Sequence, residues 1–354
     1  MKLKASFAAI IVFSVILALI LTKGCTLLEG PVPEVPYKRP DLQWPNPPQT
    51  PRIKFLRTFA TPRDLGITKS LWSRIWEFVV GEGAEERIIK PYGIQVDGEG
   101  KIYVADSVAR LVHVFDFEGK SYHKIGDPER LRLPIDLTID SQGQLFVSDA
   151  ELGRVFKYDL AGRLTGEIGR DGHLKRPAGI AYNPVNGLIY VVDVSQHEVL
   201  AYETGGKLRH RFGRRGSGVG ELNFPTNITV DKSGNLYVTD SLNFRVQAFD
   251  PQGAFISVFG RLGDAVGDFS KPKGIALDSD GHIYVVEGLY DTILIYDQDK
   301  RLLLNFGSPG DGPGQFWLAT GIFIDPQDRI YVADSYNNRV QVFQYLKGEG
   351  GKKQ

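Results

Sequence analysis

The sequence has little cysteine, little histidine and no excess of charge of either sign. Cys25 is the only cysteine in 354 residues, so an intrachain disulfide is excluded. Lysine plus arginine and aspartate plus glutamate both number 42, which gives a formal net charge of zero. Chains that bind nucleic acid usually carry a basic excess. We therefore expect no nucleic-acid partner.

A long uncharged run occupies residues 5–22, between the basic start Met-Lys-Leu-Lys and Lys23. A basic start followed by an apolar segment is typical of a secretory signal. As a helix, a run of about 18 residues would be about 27 Å long, which is also just enough to span a bilayer. We predict that residues 1–25 are a signal or membrane-anchor segment.

The end of this segment, Leu21-Thr22-Lys23-Gly24-Cys25, resembles a bacterial lipoprotein signal, with a small residue before the cysteine. Thr22 and Lys23 depart from the usual pattern of small or apolar residues. Two alternatives follow: lipidation at Cys25 after cleavage, or an uncleaved N-terminal anchor. Both predict an extracytoplasmic protein that is anchored to a membrane of the bacterial cell envelope.

Proline is concentrated directly after this segment, with eight prolines in residues 31–51. Such density favours an extended, semi-rigid chain of about 3.1 Å per residue. We predict that residues 26–51 are a linker that holds the rest of the chain away from the lipid. At the other end, residues 347–354 contain three glycines and three lysines and are predicted to be a flexible tail.

The middle of the chain is a sixfold repeat. Ile-Tyr-Val-Ala-Asp-Ser occurs at 102–107 and 330–335, and four variants lie between these copies. Their acidic residues fall at 106, 149, 193, 240, 287 and 334, which gives steps of 43, 44, 47, 47 and 47 residues. Repeats of forty-odd residues that are rich in short strands are typical of propeller blades.

One copy shows how a repeat forms a blade. Strands are predicted at 225–231, 236–239, 245–249 and 254–259, separated by turns that contain glycine or proline. We therefore predict an all-β fold, a six-bladed β-propeller of four-stranded antiparallel blades. Two aromatic columns are expected to pack blade against blade: Tyr103, Phe146, Tyr190, Tyr237, Tyr284 and Tyr331, and Phe115, Tyr158, Tyr202, Phe249, Tyr296 and Phe343.

The sixth copy ends near residue 346 without a fourth strand. Residues 53–59 alternate in polarity and end in Phe59, as the fourth strand of copy four does. We predict that this segment closes the ring by pairing with residues 339–343, which removes two open sheet edges. The propeller would then span residues 52–346. Residues 60–90 would be an insertion before the first full blade, with a helix at 69–80.

These motifs resemble the NHL repeat. The matching pattern is Pro-x-Gly-Ile-x-x-Asp, then Gly-x-Ile-Tyr-Val-Ala-Asp-Ser, then Asn-x-Arg-Val-Gln-x-Phe, and it covers roughly 91–346, most completely in copies four and six. The resemblance implies six blades. The functions of this family range from scaffolding and RNA or protein binding to a metal-dependent lyase, so the resemblance implies no single chemistry.

The lyase branch of the family would require histidines near the central axis as metal ligands. None of the six strands that are predicted to line the axis begins with histidine, and the six histidines are scattered through other strands, turns and loops. Three ligands for zinc are therefore not brought together. We predict no metal, no cofactor and no catalytic residue.

Two acidic columns have a structural interpretation. Asp97, Asp140, Asp231, Asp278 and Asp325, with Asn183, are predicted to form turns. The second column comprises the acids at 106, 149, 193, 240, 287 and 334 and is predicted to hold loops. Arg154, Arg245 and Arg339 follow five residues after their acids and are expected to pair with them.

Departures from the repeat mark candidate binding residues, because the scaffold does not require them. Most copies have glycine at the third position of the axial strand, whereas copies two and four have Asp136 and Asn227. Lys273 is the only cation in the preceding column, and Trp317 is an addition in a long glycine-rich loop. Phe224, Phe269 and Phe316, in such loops, are expected to pack between blades. The predicted site at the channel mouth and rim comprises Tyr92, Asp136, Thr226, Asn227, Lys273 and Trp317.

Three functions remain open at this point. The leading hypothesis is a membrane-tethered extracytoplasmic binding or scaffold propeller whose rim recognises a protein, a peptide or an envelope polymer. The alternative is a metal-dependent lyase or hydrolase with a site around Asp136 and Lys273. The third is a structural component of an envelope or electron-transfer assembly.

Overall fold

The computed structural model describes residues 41–66 and 86–347. The predicted signal or anchor segment 1–25, Cys25 and the predicted helix at 69–80 lie outside the described residues. The same holds for residues 26–40 of the predicted linker and 348–354 of the predicted tail. Among the described residues, no helix is both long enough and apolar enough to cross a membrane.

The described chain begins with two strands, β1 (Gln43–Trp44) and β2 (Ile53–Phe59), and a short 3-10 helix at Pro62–Leu65. This helix is the only regular element that the structure describes within the predicted insertion 60–90. β1 falls within the range predicted to be linker.

Blades one, two and three each contain four consecutive antiparallel strands, and each sheet follows the chain order. The strands of blade one are β3 (Pro91–Val96), β4 (Ile102–Asp106), β5 (Leu111–Asp116) and β6 (Ser121–Ile125). Blade two contains β7 (Pro134–Ile139), β8 (Gln144–Asp149), β9 (Arg154–Asp159) and β10 (Leu164–Ile168). Blade three contains β11 (Pro177–Asn183), β12 (Leu188–Asp193), β13 (Glu198–Glu203) and β14 (Leu208–Phe212).

Blades four and five repeat this arrangement. Blade four contains β15 (Pro225–Val230), β16 (Leu236–Asp240), β17 (Arg245–Phe249) and β18 (Phe255–Phe259), with a 3-10 turn at Ser241–Asn243. Blade five contains β19 (Pro272–Leu277), β20 (Ile283–Glu287), β21 (Thr292–Tyr296) and β22 (Leu302–Phe306). The loop after it contains two short parallel strands, β23 (Ser308–Pro309) and β24 (Gln315–Phe316). The strands predicted for the fourth copy are confirmed to within one residue.

Blade six combines the two ends of the described chain. Its strands are β25 (Ile322–Ile324), β26 (Arg329–Asp334) and β27 (Arg339–Tyr345), followed in the sheet by β2 and β1. β2 runs antiparallel to β27, with Ile53 opposite Tyr345 and Phe59 opposite Val340. β1 pairs with the outer edge of β2.

The first strands of the six blades surround a central axis. β3, β7, β11, β15, β19 and β25 contact one another in this order, and β25 contacts β3 again. The sheets therefore form a closed ring, and the predicted all-β fold with six four-stranded blades is confirmed. Because the ring is closed, each first strand has the first strand of another blade on both sides.

The core lies between adjacent blades. One cluster, for example, joins Tyr190 and Val199 of blade three to Val238 and Phe249 of blade four. Both predicted aromatic columns lie in these layers, and all their members are buried except Tyr237, which is half-buried. Large rings fill the space between splayed sheets, so the spacing of aromatics in the sequence reflects blade packing.

The first acidic column forms the turns between first and second strands, as predicted. In blade one, Asp97 Oδ1 accepts hydrogen bonds from the backbone N–H groups of Glu99 at 2.9 Å and Lys101 at 3.0 Å. Its other carboxylate oxygen accepts the Tyr103 hydroxyl at 2.9 Å. The same carboxylate therefore shapes the turn and anchors the aromatic column.

Candidate functional site

The two ends of the ring differ in the segments that form them. We call the end formed by the loops between blades and the loops after second strands the loop rim. The opposite end, formed by the short turns after first and third strands, is the turn rim. Because strands alternate in direction within a blade, the loops between blades and the loops after second strands lie at the same end of the ring.

The second acidic column holds the loop rim together, as predicted. Asp106 Oδ2 accepts the backbone N–H of Ile89 at 2.6 Å, from the segment that enters blade one. Its Oδ1 accepts the N–H of Ala109 at 2.8 Å, from the loop after the second strand. One carboxylate thus joins two loops, and satisfied N–H groups fix their backbone.

Two of the three predicted arginine pairs are present. Arg245 Nε donates to Asp240 at 2.7 Å and Arg339 Nε donates to Asp334 at 2.7 Å. Arg245 also donates to the carbonyl groups of the tall loop 213–224, and Arg339 does so in loop 307–318. These arginines therefore fix the backbone of the two long loops, which we call the tall loops, against the acid of the same blade.

The prediction for Arg154 was wrong. Its guanidinium pairs with Glu167 at 2.9 Å instead of Asp149. The loop before blade two, at 126–133, is shorter than the loops at 213–224 and 307–318, so it offers no comparable set of carbonyl groups for this arginine. Glu167 on the neighbouring fourth strand takes its place as the partner.

The axis contains two cavities. The mouth cavity opens at the loop rim and has a volume of about 420 Å³. The turn-side cavity opens at the turn rim and has a volume of about 390 Å³. We call the narrowing between them the waist, and the residues that line both cavities form it: Gly93, Asp136, Asn227 and Gly321.

Asp136 spans the waist with its side chain. One carboxylate oxygen accepts the backbone N–H of Ile180 at 3.1 Å and lies 3.3 Å from the Asn227 amide nitrogen, which donates to it. The other accepts the N–H of Leu137 at 2.9 Å. These bonds tie blade two to blades three and four. Burial raises the pKa of Asp136 to about 7, and the three donated hydrogen bonds oppose that rise.

Glycine is required beside this carboxylate. A Cβ atom on Gly93 would overlap the Asp136 carboxylate, and one on Gly321 would overlap the Tyr92 carbonyl. Four of the six first strands are also shifted in register between their opening proline and fourth residue, as between Pro91 and Ile94 in β3, and β7 is shifted between Pro134 and Asp136. In these strands, the irregularity brings the second and third residues to the axis.

The structure brings five of the six predicted site residues together. Tyr92, Asp136, Thr226, Asn227 and Lys273 all line the mouth cavity. Among the described residues, no ion pair joins Asp136 to Lys273, because the carboxylate is turned across the waist. Burial and the charges of Lys271 and Lys90 lower the pKa of Lys273 to about 8.

Trp317 lies on the loop rim outside the mouth cavity. Its backbone N–H donates to Asp334 at 2.8 Å, while its side chain is 55% exposed. The indole ring lies 5.7 Å from the ring of Tyr336, and Lys90 Nζ lies 4.5 Å from the same tyrosine ring. The two exposed rings and the half-buried Lys90 form one aromatic and cationic group on the loop rim.

Sequence reasoning missed Arg176 and misplaced Phe224, which both line the mouth cavity. Phe269 and Phe316 are buried between blades as expected, but Leu222 occupies that position before blade four and Phe224 is 41% exposed. The signal was present: both missed residues directly precede the proline that opens a first strand.

Histidine is absent from the lining of both cavities in the part of the chain that the structure describes. His113 is buried and lies 2.8 Å from the Tyr122 hydroxyl and 3.2 Å from Asp106. His197 Nδ1 accepts the backbone N–H of Phe224 at 3.0 Å and so positions that ring at the mouth. Within 41–66 and 86–347, no group of three His, Cys, Asp or Glu side chains is arranged to hold a metal ion.

Comparison with family models identifies NHL repeats in this chain, at residues 222–249 and 316–343. These are the two repeats in which Arg245 and Arg339 hold the tall loops. Comparison with curated protein sequences gave no match.

Solved structures share the propeller fold at low sequence identity. Virginiamycin B lyase from Staphylococcus aureus is 17% identical, with a TM-score of 0.54 over 73% of this chain and 95% of that one. Hydrazine synthase from Kuenenia stuttgartiensis is 14% identical, with a TM-score of 0.54 over 76% and 98% of the chains. An auxiliary nutrient binding protein from Bacteroides thetaiotaomicron is 14% identical, with a TM-score of 0.58 over 73% and 69%. At these identities, the likeness concerns the fold alone.

Proposed function

We propose that this protein is a membrane-tethered extracytoplasmic binding or scaffold propeller. Its loop rim would recognise a protein, a peptide or an envelope polymer. The NHL repeats support a binding role, since propellers of this kind present their loops as a contact surface. The fold shared with a nutrient binding protein is compatible with the same role.

The distribution of exposed apolar side chains carries this proposal. Of the sixteen large apolar side chains exposed in the described part of the chain, twelve lie on the loop rim and one, Val185, lies on the turn rim. The concentration of exposed apolar side chains at one end of the ring favours a contact surface at that end. The loop-rim members are Ile89, Val108, Leu152, Val219, Phe224, Leu242, Leu262, Val266, Leu289, Tyr290, Trp317 and Tyr336.

The proposal is tested by site-specific photocrosslinking in the native cells. A photoreactive residue at position 317 should yield crosslinked adducts, because Trp317 is the most exposed aromatic side chain on the loop rim. The same residue at position 185 is the matched control, since Val185 has a similar exposure of 58% on the opposite rim. Adducts from position 185 alone would place the binding face on the turn rim.

Replacing single loop-rim residues should weaken binding of the crosslinked partner without changing the fold. Lys273→Ala and Trp317→Ala should each cost about 1–3 kcal/mol of binding free energy if these residues are hot spots. Thermal unfolding should change little, because the repeat requires neither side chain. Parent-like affinity in both variants, together with loss of binding on substitution in the turn rim, would contradict the proposal.

The tether depends on the N-terminal segment. If Cys25 is lipidated, Cys25→Ser should abolish incorporation of labelled fatty acid and leave an unprocessed precursor at the membrane. The measurement is metabolic labelling followed by gel mobility of parent and variant. If the parent takes up no label and the variant migrates identically, the uncleaved anchor is the correct alternative.

A second candidate function is lyase or hydrolase chemistry at the mouth cavity. The observation that favours it is Asp136, whose pKa of about 7 suits a proton acceptor at neutral pH. Metal analysis of the purified protein separates the two functions. Stoichiometric zinc or calcium would favour the enzyme over the binding protein.

A further inference from the structure

We propose that the mouth cavity binds an organic anion, a carboxylate or phosphate ester with an apolar body, whose charged group lies at Lys273. The inference rests on the proposed function, because it names the chemistry of a group that the loop rim recognises. Four features of blade five and of the cavity walls support it.

The first feature is a pair of departures from the repeat in blade five. In the other five blades, the position of Lys273 holds Tyr92, Ile135, Ala178, Thr226 or Thr320. The position after the second-strand acid holds serine, alanine or valine elsewhere and Gly288 in blade five. A Cβ on Gly288 would lie 3.0 Å from Cε and 3.1 Å from Cδ of Lys273. The second departure therefore makes room for the first.

The second feature is that the nearby carboxylates already have partners. Glu287 accepts the backbone N–H groups of Ser270 at 2.9 Å and Lys271 at 2.7 Å. Asp291 accepts the N–H of Leu318 at 2.6 Å. Both acids serve the backbone of the loops, and neither forms an ion pair with Lys273.

The third feature is the isolation of the Lys273 ammonium group. Among the described residues, Nζ has no hydrogen-bond or ion-pair partner. Lys273 is half-buried in the cavity wall, so its ammonium group is less well solvated than that of an exposed lysine and gains more from an incoming anion. Burial and the charges of Lys271 and Lys90 lower the pKa of Lys273 by more than the charges of Asp291 and Glu287 raise it, which agrees with the lack of a direct ion pair.

The fourth feature is the unequal polarity of the cavity walls. Blades two and three contribute an apolar wall, and Lys273 of blade five lies opposite blade two in the ring. Arg176 is exposed at the outer edge of the apolar wall. The volume of about 420 Å³ lies within the usual range for small-molecule sites, about 300–1,000 Å³. The apolar wall comprises Leu133, Ile135, Ala150, Ala178 and Val194.

Calorimetric titration of the full-length protein with 4-phenylbutyrate and with its neutral amide tests the inference. The two probes have the same apolar body, so the charge is the variable. We expect the anion to bind about tenfold or more tightly than the amide, as for one ion pair of about 1.4 kcal/mol. Lys273→Met retains the apolar stem and should remove that difference.

Two further variants separate a positioned lysine from bulk charge. Gly288→Ala keeps Lys273 but crowds its stem, so it should weaken binding of the anion and leave binding of the amide unchanged. Lys232→Met is the matched control, because Lys232 lines the turn-side cavity beyond the waist. It should leave the affinity for both probes unchanged. Phenyl phosphate, titrated in parallel, shows by its relative affinity whether the charged group is a phosphate or a carboxylate.

Three outcomes would overturn the inference: no saturable binding of either anion, equal affinity for phenylbutyrate and its amide, or unchanged anion affinity in Lys273→Met. If crosslinking from position 317 persists in any of these cases, the loop rim remains the binding face and only the anion site is wrong. If crosslinking is also absent, the proposed function fails with it.

Discussion

A chain that begins at residue 61, without β2, should lose cooperative thermal unfolding. β2 buries Ile53, Phe55 and Phe59 in the layers beside blade six. Burying such a side chain stabilises a fold by about 1.5–3 kcal/mol, so loss of these three side chains costs about 4.5–9 kcal/mol. That is comparable to the whole stability of a typical domain, about 5–15 kcal/mol. The deletion also exposes the edge of β27.

Two longer chains are the controls for this prediction. A chain that begins at Asp41 retains every strand that the structure describes and should melt like the full-length protein. A chain that begins at residue 52 should still fold but lose about 1–3 kcal/mol, since it lacks the half-buried Trp44 ring. That ring packs 5.8 Å from both Phe306 and Phe343. Differential scanning calorimetry compares all three, and an equally sharp transition without β2 would refute the role of this strand.

Asp136 should make the protein less stable as the pH rises from about 4 to about 7. Its folded pKa of about 7 lies above its ordinary value of 3.8, so the folded state retains a proton that the unfolded state has lost. The contribution of Asp136 to the free energy of unfolding is therefore fully present below about pH 4. It is lost progressively as the pH rises to about 7, where the carboxyl of the folded state ionises. Each pKa unit is worth about 1.4 kcal/mol, so the full decline is about 4 kcal/mol.

The variant Asp136→Asn isolates this effect, because its amide does not titrate. Other groups change stability with pH in both proteins, so the measured quantity is the difference in free energy of unfolding between parent and variant. Relative to the variant, the parent should lose about 1.4 kcal/mol per pH unit between pH 4 and 7 and nothing further above pH 8. Denaturant unfolding at each pH provides these values. A constant difference across this range would mean that the Asp136 carboxyl is already ionised at pH 4.

Strand positions were predictable because each blade depends on local signals. A proline opens the first strand, glycine allows the turn, and an aromatic residue marks the blade interface, as in Pro225, Gly234 and Tyr237. The aromatic residue recurs in all six copies and the proline and the glycine in five, so an error in one copy is corrected by the others. The partner of Arg154 was not predictable, since it depends on the length of a loop that lies outside its own repeat unit.

Most residues of the site were predictable because they differ from the repeat, but their contacts in the folded protein were not. Asp136, Asn227 and Lys273 stood out because their columns hold other residues in the other blades. Their spacing in the sequence does not reveal that Asp136 bonds to Asn227 across 91 positions while Lys273 turns toward Gly288. The aromatic columns repeat at regular positions, whereas the position of a loop residue relative to the blade depends on the length of its loop. Phe224 was therefore assigned to the buried column that Leu222 occupies.

By itself, the sequence determined the number of blades, their strands and the positions where the repeat is broken. These properties follow from local turn chemistry and from alternation of buried and exposed residues, which operate within about ten neighbouring positions. Only the tertiary structure decided that Asp136 spans the waist, that Lys273 has no counterion among the described residues and that most of their exposed apolar side chains lie on one rim. Those properties arise when six strands meet at one axis, since ring closure brings together side chains that no local rule relates.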